Sequence, residues 1–210
     1  MKQPALFWTS IAAVALSACS EPSATSGAED TELMESKTTP VVAPISEAEI
    51  IDAGLAVGEK LPLEASFVDR NGSSSFAKLL ADGPALIVFT RSVEWCPYCQ
   101  TQLKSINAIV GDLKERGYNL YGLSYDSPDK QDRFSKNQML QYEMLSDEPS
   151  AIIDALRLRD PQYTEGRAAG VPYASVFVID KTGTIIAKSV SGDYRKRPSN
   201  EQILALVDAI

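Results

Sequence analysis

Apolar residues in this chain fall into two alternating patterns. Ala85-Leu-Ile-Val-Phe-Thr90 is an unbroken apolar run of strand length, the signature of a strand buried on both faces. Leu120-Tyr-Gly-Leu-Ser-Tyr125 and Ser175-Val-Phe-Val-Ile-Asp180 predict two more strands. Between the first two the period changes. Leu103, Ile106, Val110 and Leu113 recur every three or four residues, which predicts a helix with one apolar stripe, ended by Gly117. Ser127-Pro128 opens a polar helix to about Asn137, with Ser127 as cap and Pro128 in the first turn. Ser150 to Leu158 reads as another helix, and Ser199-Asn-Glu201 starts a last one with Ile203, Leu204 and Val207 facing inward. Asn71-Gly72 predicts a hairpin after Phe67, and Lys181-Thr-Gly183 a second one before Thr184-Ile-Ile-Ala187. Strands alternating with helices, then a hairpin and a helix, predict an α/β sandwich with a central mixed sheet flanked by helices. One compact domain over residues 57–210 accommodates them.

The start of the chain reads as an address. Lys2 precedes an apolar stretch from Ala5 to Ala18, about six residues short of the ~20 needed to span a bilayer as a helix. This is the build of a secretory signal peptide over residues 1–18. Leu16-Ser17-Ala18-Cys19 resembles the bacterial lipobox, which implies cleavage before Cys19 and lipidation of its sulfur. With Ser20 next, the expectation is an exported lipoprotein of the cell envelope, anchored to the outer membrane and facing the periplasm. Ordinary signal cleavage, leaving Cys19 a plain thiol, is the alternative. Residues 19–56 then form the lipidated cysteine and a tether, mostly Ser, Thr, Pro, Ala, Glu and Asp to about Ser46, too poor in apolar side chains to fold. As a flexible coil that tether spans roughly 28 Å. Ser46 caps a brief helix within it.

Composition narrows the chemistry. Of 210 residues 44% are hydrophobic and 23% charged, so a core of normal size is expected. Lys and Arg total 20 against 28 Asp and Glu, net −8, which argues against a nucleic-acid partner. There is no His. A Ser-His-Asp triad, a Cys-His pair and any His-ligated metal are therefore excluded. Of three Cys, only Cys96 and Cys99 fall in the expected domain, too few for a site needing about four soft ligands. No metal and no cofactor are expected.

Those two cysteines carry the chemistry. Trp95-Cys96-Pro97-Tyr98-Cys99 sits where the buried strand gives way to the amphipathic helix. A cysteine in a first helical turn lies by unpaired N–H groups and the positive end of the helix, which favour its thiolate. The i, i+3 offset sets Cys99 one turn deeper on the same face, within reach of a disulfide. Pro97 suits the first turn, and Trp95 offers a flat apolar wall. A structural staple is a weaker reading, because closing so short a loop contributes only about 2 kcal/mol. The redox reading requires Cys96 to ionise readily and lie open to solvent.

The strand–Trp-Cys-x-x-Cys–helix unit, with Gly170-Val171-Pro172 ahead of Ser175-Val-Phe-Val-Ile-Asp180, resembles the thioredoxin fold. In that fold a cis-proline packs against the cysteine pair, and Pro172 is the matching position. Tyr121-Gly-Leu-Ser-Tyr-Asp-Ser-Pro128, Met144-Leu-Ser-Asp147 and Tyr194-Arg-Lys-Arg-Pro198 resemble the peroxiredoxin-like branch, the alkyl hydroperoxide reductase and thiol-specific antioxidant family. The likeness covers roughly residues 57 to 208. It departs where a peroxidatic cysteine follows P-x-x-x-T-x-x-C: Phe89 stands for the proline and Val93 for the threonine, and Ala174 stands where the family's active-site arginine is expected. Arg91 and Arg195 are the candidates to replace that arginine. The leading expectation is a thiol–disulfide oxidoreductase with Cys96 as nucleophile and Cys99 resolving. The alternatives are a thiol-dependent peroxidase with Cys96 peroxidatic, and a redox-inert binding module. Partners would be protein or small-molecule thiols and disulfides, peroxides in the second case, an electron donor, and the membrane through the anchor.

Overall fold

The computed structural model describes residues 40–210. The chain runs through β1 (Ala43–Pro44), β2 (Ser66–Asp69), β3 (Gly72–Ser75), α1 (Phe76–Ala81), β4 (Ala85–Phe89), α2 (Pro97–Ile106) and α3 (Val110–Glu115). It continues through β5 (Asn119–Ser124), α4 (Pro128–Gln138), β6 (Glu143–Ser146), α5 (Ala151–Ala155), β7 (Ala174–Ile179), β8 (Ile185–Ser191), β9 (Lys196–Arg197) and α6 (Asn200–Asp208). Seven strands make one sheet in the order β3-β2-β6-β5-β4-β7-β8. β4, β5 and β6 pair parallel, whereas β7 and β8 on one side and β2 and β3 on the other pair antiparallel. This is the α/β, thioredoxin-like fold with a mixed central sheet.

The pleat of the sheet sorts its side chains into two cores. Ile87, Phe89, Phe177 and Ile179 face one side with α1 and α5 residues such as Leu79 and Ile152. Leu86, Val88, Val176 and Val178 face the other, against Leu103 and Ile106 of α2, Leu113 of α3 and Ile203 of α6. β4 is buried along its whole length, as its unbroken apolar run requires. The expected long helix is split: a 3-10 turn at Asn107–Ile109 separates α2 from α3. Its stripe still reaches one core, because the turn advances the chain without reversing it. Both expected hairpins form, with Asp69 opposite Gly72 in the first and Gly72 at φ 113°, a value few other residues adopt.

Residues ahead of 57 also pack on the domain. Ala43 and Pro44 pair parallel with β9, Ile45 is buried, and the Ile51 N–H donates to the Val190 carbonyl at 3.0 Å. The Lys188 ammonium donates to the Ala53 and Leu55 carbonyls, each at 3.0 Å. The helix expected after Ser46 is a single 3-10 turn, Glu47–Glu49.

The signal peptide and Cys19 lie outside the described residues. The expectation of a membrane-anchored, outer-membrane lipoprotein with lipid as a partner is corrected. No helix among the described residues is long and apolar enough to cross a membrane. The large apolar side chains that stay exposed, such as Val57, Met139 and Ile210, come singly from separate segments. Among the described residues most other large apolar side chains are packed in the two cores.

Candidate active site

The site grows from the end of β4. Beyond Phe89 the chain leaves the sheet as Thr90-Arg91-Ser92-Val93, four buried residues. Thr90 still donates its N–H to the Leu123 carbonyl at 2.9 Å, while the rest must be held without strand pairing. Asp126, at the matching end of β5, does this. Its carboxylate accepts from the Ser92 hydroxyl, the Val93 N–H and the Ser124 hydroxyl, each at 2.7 Å. The Ser92 hydroxyl oxygen in turn accepts from the Glu94 N–H at 3.0 Å. The Gln100 amide donates to the Val93 carbonyl at 2.8 Å, tying α2 back to the loop. Gln131 of α4 donates to the Ser124 hydroxyl and the Leu145 carbonyl, both at 2.9 Å, and so fixes the Asp126 corner.

Cys96 caps α2. Its sulfur accepts from the Cys99 N–H at 3.3 Å, and Pro97 occupies the first helical position, where no N–H is needed. Cys96 and Cys99 are joined in a disulfide across one turn, with their Cα atoms 5.2 Å apart. The expectation that Cys96 lies open to solvent is corrected: it is 1% exposed and Cys99 fully buried, because the pair is closed as a disulfide and covered by the neighbouring side chains. The redox reading rests on the formed disulfide and not on the exposure of Cys96. Pro97 is exposed just outside, and Trp95 and Tyr98 are half-buried beside the pair.

Two arginines surround this pair, one of them not among the sequence candidates. Arg91, 3% exposed, has its guanidinium 4.0 Å from the ring centres of both Tyr163 and Tyr194 and 5.3 Å from Trp95. Such contacts stabilise a desolvated cation. Arg197 is 1% exposed and reaches the disulfide itself: it donates through Nη2 to Cys99 Sγ at 3.2 Å, through Nη1 to Gln102 Oε1 at 2.8 Å and through Nε to the Tyr194 carbonyl at 2.6 Å. Burial, with Arg91 adding repulsion, pulls its pKa down to about 9. Arg195 does not join them, being exposed with its guanidinium on the Asp193 carboxylate at 2.8 Å.

An aromatic wall completes the site. Tyr194 packs edge-on against Tyr98, ring centres 5.7 Å apart, and against Tyr163 at 6.4 Å. Trp95 donates through its indole N–H to the Tyr125 hydroxyl at 3.0 Å, and that hydroxyl donates to the Arg167 carbonyl. Burial raises the Tyr125 pKa, with the Trp95 bond pulling the other way. Asp160 is buried at the start of the segment that carries Tyr163. Burial pushes its carboxyl up, while the Gln162 N–H and Arg91 pull it down. Pro172 is buried just ahead of β7, the antiparallel partner of β4, so it lies at the sheet end from which the cysteine loop departs.

Arg197 stands in Tyr194-Arg-Lys-Arg-Pro198, a run that carries the family resemblance, but the candidates taken from the sequence were Arg91 and the nearby Arg195. The usable signal was Gln102, a polar residue on the apolar side of α2, three positions after Cys99, that needs a buried partner. Phe89 and Val93, where the peroxiredoxin pattern has proline and threonine, are buried apolar residues here, with Phe89 edge-on to Phe177 at 5.2 Å.

A sequence profile described as the AhpC/TSA family matches residues 57–188. The chain belongs to the AhpC/TSA family. Among relatives, Peroxiredoxin Bcp of Escherichia coli is 24% identical over 122 residues, covering 58% of this chain and 77% of its own length. Peroxiredoxin bcp1 of Schizosaccharomyces pombe is 25% identical over 166 residues, covering 75% of this chain and 82% of the relative. Reduced Prx3 of Vibrio vulnificus superposes with a TM-score of 0.67 at 18% identity, over 73% of this chain and 99% of that one. At that identity the superposition speaks to the fold. As an AhpC/TSA member with a closed cysteine pair, the chain is a thiol-based redox enzyme.

Proposed function

We propose that this AhpC/TSA protein is a thiol-dependent peroxidase, with Cys96 as peroxidatic and Cys99 as resolving cysteine. The observation that carries the reading is the Cys96–Cys99 disulfide at the start of α2 in a chain whose relatives are peroxiredoxins. The Cys96 thiolate attacks one oxygen of a peroxide. The O–O bond breaks, an alcohol or water leaves after taking up a proton, and Cys96 is left as a sulfenic acid. Cys99 then attacks the Cys96 sulfur, water departs, and the disulfide results. Two external thiols, giving up two electrons and two protons, restore the pair. Arg91 is the positive group offered to the developing oxyanion, and Pro172 presents backbone beside the pair.

The test is stopped-flow mixing of the reduced protein with hydrogen peroxide. Consumption should be fast in wild type, absent in Cys96→Ser, and single-turnover in Cys99→Ser with a sulfenic acid that dimedone traps. A wild-type rate no faster than a free thiol overturns the proposal. A second reading, thiol–disulfide exchange with Cys96 as nucleophile, is favoured by Phe89, Val93 and Ala174 at the positions where peroxide-orienting groups are expected. It predicts slow reaction with peroxide, rapid reaction with disulfides, and mixed disulfides trapped by Cys99→Ser.

A further inference from the structure

The disulfide form contains an electrostatic imbalance. Arg197 is buried, and its three hydrogen bonds all go to neutral acceptors: the Tyr194 carbonyl, the Gln102 amide oxygen and the Cys99 sulfur. Among the described residues it makes no ion pair. The nearby charges are Arg91, which repels it, and Asp193, which attracts it but is engaged by Arg195. Arg91 is likewise buried without an ion pair among the described residues, with Asp160 within its field. A buried cation lacking an anion is costly, and an anion placed against it is correspondingly favoured. Reduction supplies that anion.

We propose that Arg197 sets the redox poise of the pair by holding Cys99 as the leaving thiolate when a reductant attacks Cys96. In this step a thiolate RS⁻ bonds to Cys96 Sγ, the Cys96–Cys99 bond breaks, and its electron pair stays on Cys99 Sγ, already 3.2 Å from the guanidinium. The products are RS–S–Cys96 and Cys99–S⁻, with charge conserved. A second thiolate then releases Cys96, and two electrons have entered the pair. A thiol of low pKa leaves faster, and stabilising the reduced form makes a disulfide more oxidising. The sulfurs therefore differ: Cys96 receives one neutral backbone N–H, whereas Cys99 receives a charge-assisted bond, roughly twice as strong. The same thiolate serves as the resolving nucleophile in the peroxidase cycle. The inference rests on the pair being reduced and reoxidised, and that holds for either reading of the function.

The test uses the full chain carrying Cys19→Ser, so that only the two site thiols titrate. Equilibration with glutathione buffers measures the poise. Arg197→Met should shift the equilibrium toward the disulfide by about tenfold for each unit by which the Cys99 pKa rises, and Arg197→Lys should recover part of the shift. In the Cys96→Ser form, the pH dependence of iodoacetamide alkylation reads Cys99 alone. Its inflection should lie below the ~8.5 of a free cysteine, and should rise by about one unit or more in Arg197→Met. An unchanged glutathione equilibrium in a folded Arg197→Met protein overturns the proposal. So does a Cys99 inflection at or above that of a free thiol while Arg197 is intact, a result that needs no arginine variant to fold. Peroxide enters neither measurement. A protein inert to peroxide that keeps the arginine-dependent equilibrium loses the peroxidase reading alone.

Discussion

Asp126 is the residue on which the cysteine loop depends. Three donors converge on one buried carboxylate, and two of them belong to the segment that delivers Cys96. Asp126→Ala leaves three donors, the O–H groups of Ser92 and Ser124 and the Val93 N–H, without their acceptor in the interior. A loss of about 2–4 kcal/mol is expected from urea unfolding, together with slower reaction at Cys96, because the loop no longer fixes the start of α2. Arg91 makes a different demand. Its guanidinium lies against two tyrosine rings, and its Nε has no hydrogen-bond partner among the described residues. Arg91→Lys keeps the charge but loses the plane that stacks between the rings. The expected outcome is a stability loss of about 1–2 kcal/mol by thermal or urea unfolding and a lower rate with peroxide at unchanged Cys96 alkylation, which separates oxyanion binding from thiolate activation.

At the level of elements, the sequence reading succeeded where one period dominates. The continuous run of β4, the stripe through α2 and α3, the Asn71-Gly72 turn and the Ser199 cap of α6 each declare themselves locally. It missed β6, Glu143–Ser146, whose two apolar residues, Met144 and Leu145, are too few to show a period. The helix expected from Ser150 to Leu158 shrinks to α5, since Ser150 lies at φ 73° and Asp147 supplies the cap, accepting from the Ile152 and Ile153 N–H groups at 3.0 and 2.8 Å. β1 and β9, two residues each, have no period at all and exist only as partners. For that reason no periodicity marked Arg197, and only the buried Gln102 pointed to it: its burial is a product of pairing, not of pattern.

β9 also carries a pH-sensitive clamp. The Lys196 ammonium donates to Glu49, and with the Ser46 bonds this holds the Glu49 carboxyl below its ordinary value of 4.5. A carboxyl depressed in the folded state contributes stability above its unfolded pKa and loses it as pH falls through the lower folded value. Urea midpoints should therefore drop below pH 4.5 more steeply in wild type than in Glu49→Gln.

On the scale of the whole molecule, the two ends of the described chain meet at one place. The segment over 43–56 closes against β8, β9 and α6, with the Gln202 amide donating to the Ile45 carbonyl at 3.0 Å. Little in the sequence hinted at this, because the segment's anchors, Ile45, Ile51 and Leu55, follow neither a strand nor a helix period. Ile45→Ala should cost about 2–4 kcal/mol by chemical denaturation, whereas a residue in a free tether would cost nothing. Agreement with the neighbouring Leu55→Ala would mark the segment as part of one cooperative unit. Trp95 has a practical consequence as well. The chain has two tryptophans, and Trp8 lies outside the described residues. The other adjoins the disulfide, under the guanidiniums of Arg91 and Arg167. Disulfides quench indole emission, so the fluorescence of the unlabelled protein should brighten on reduction and dim on oxidation. Each turnover can then be followed by light alone.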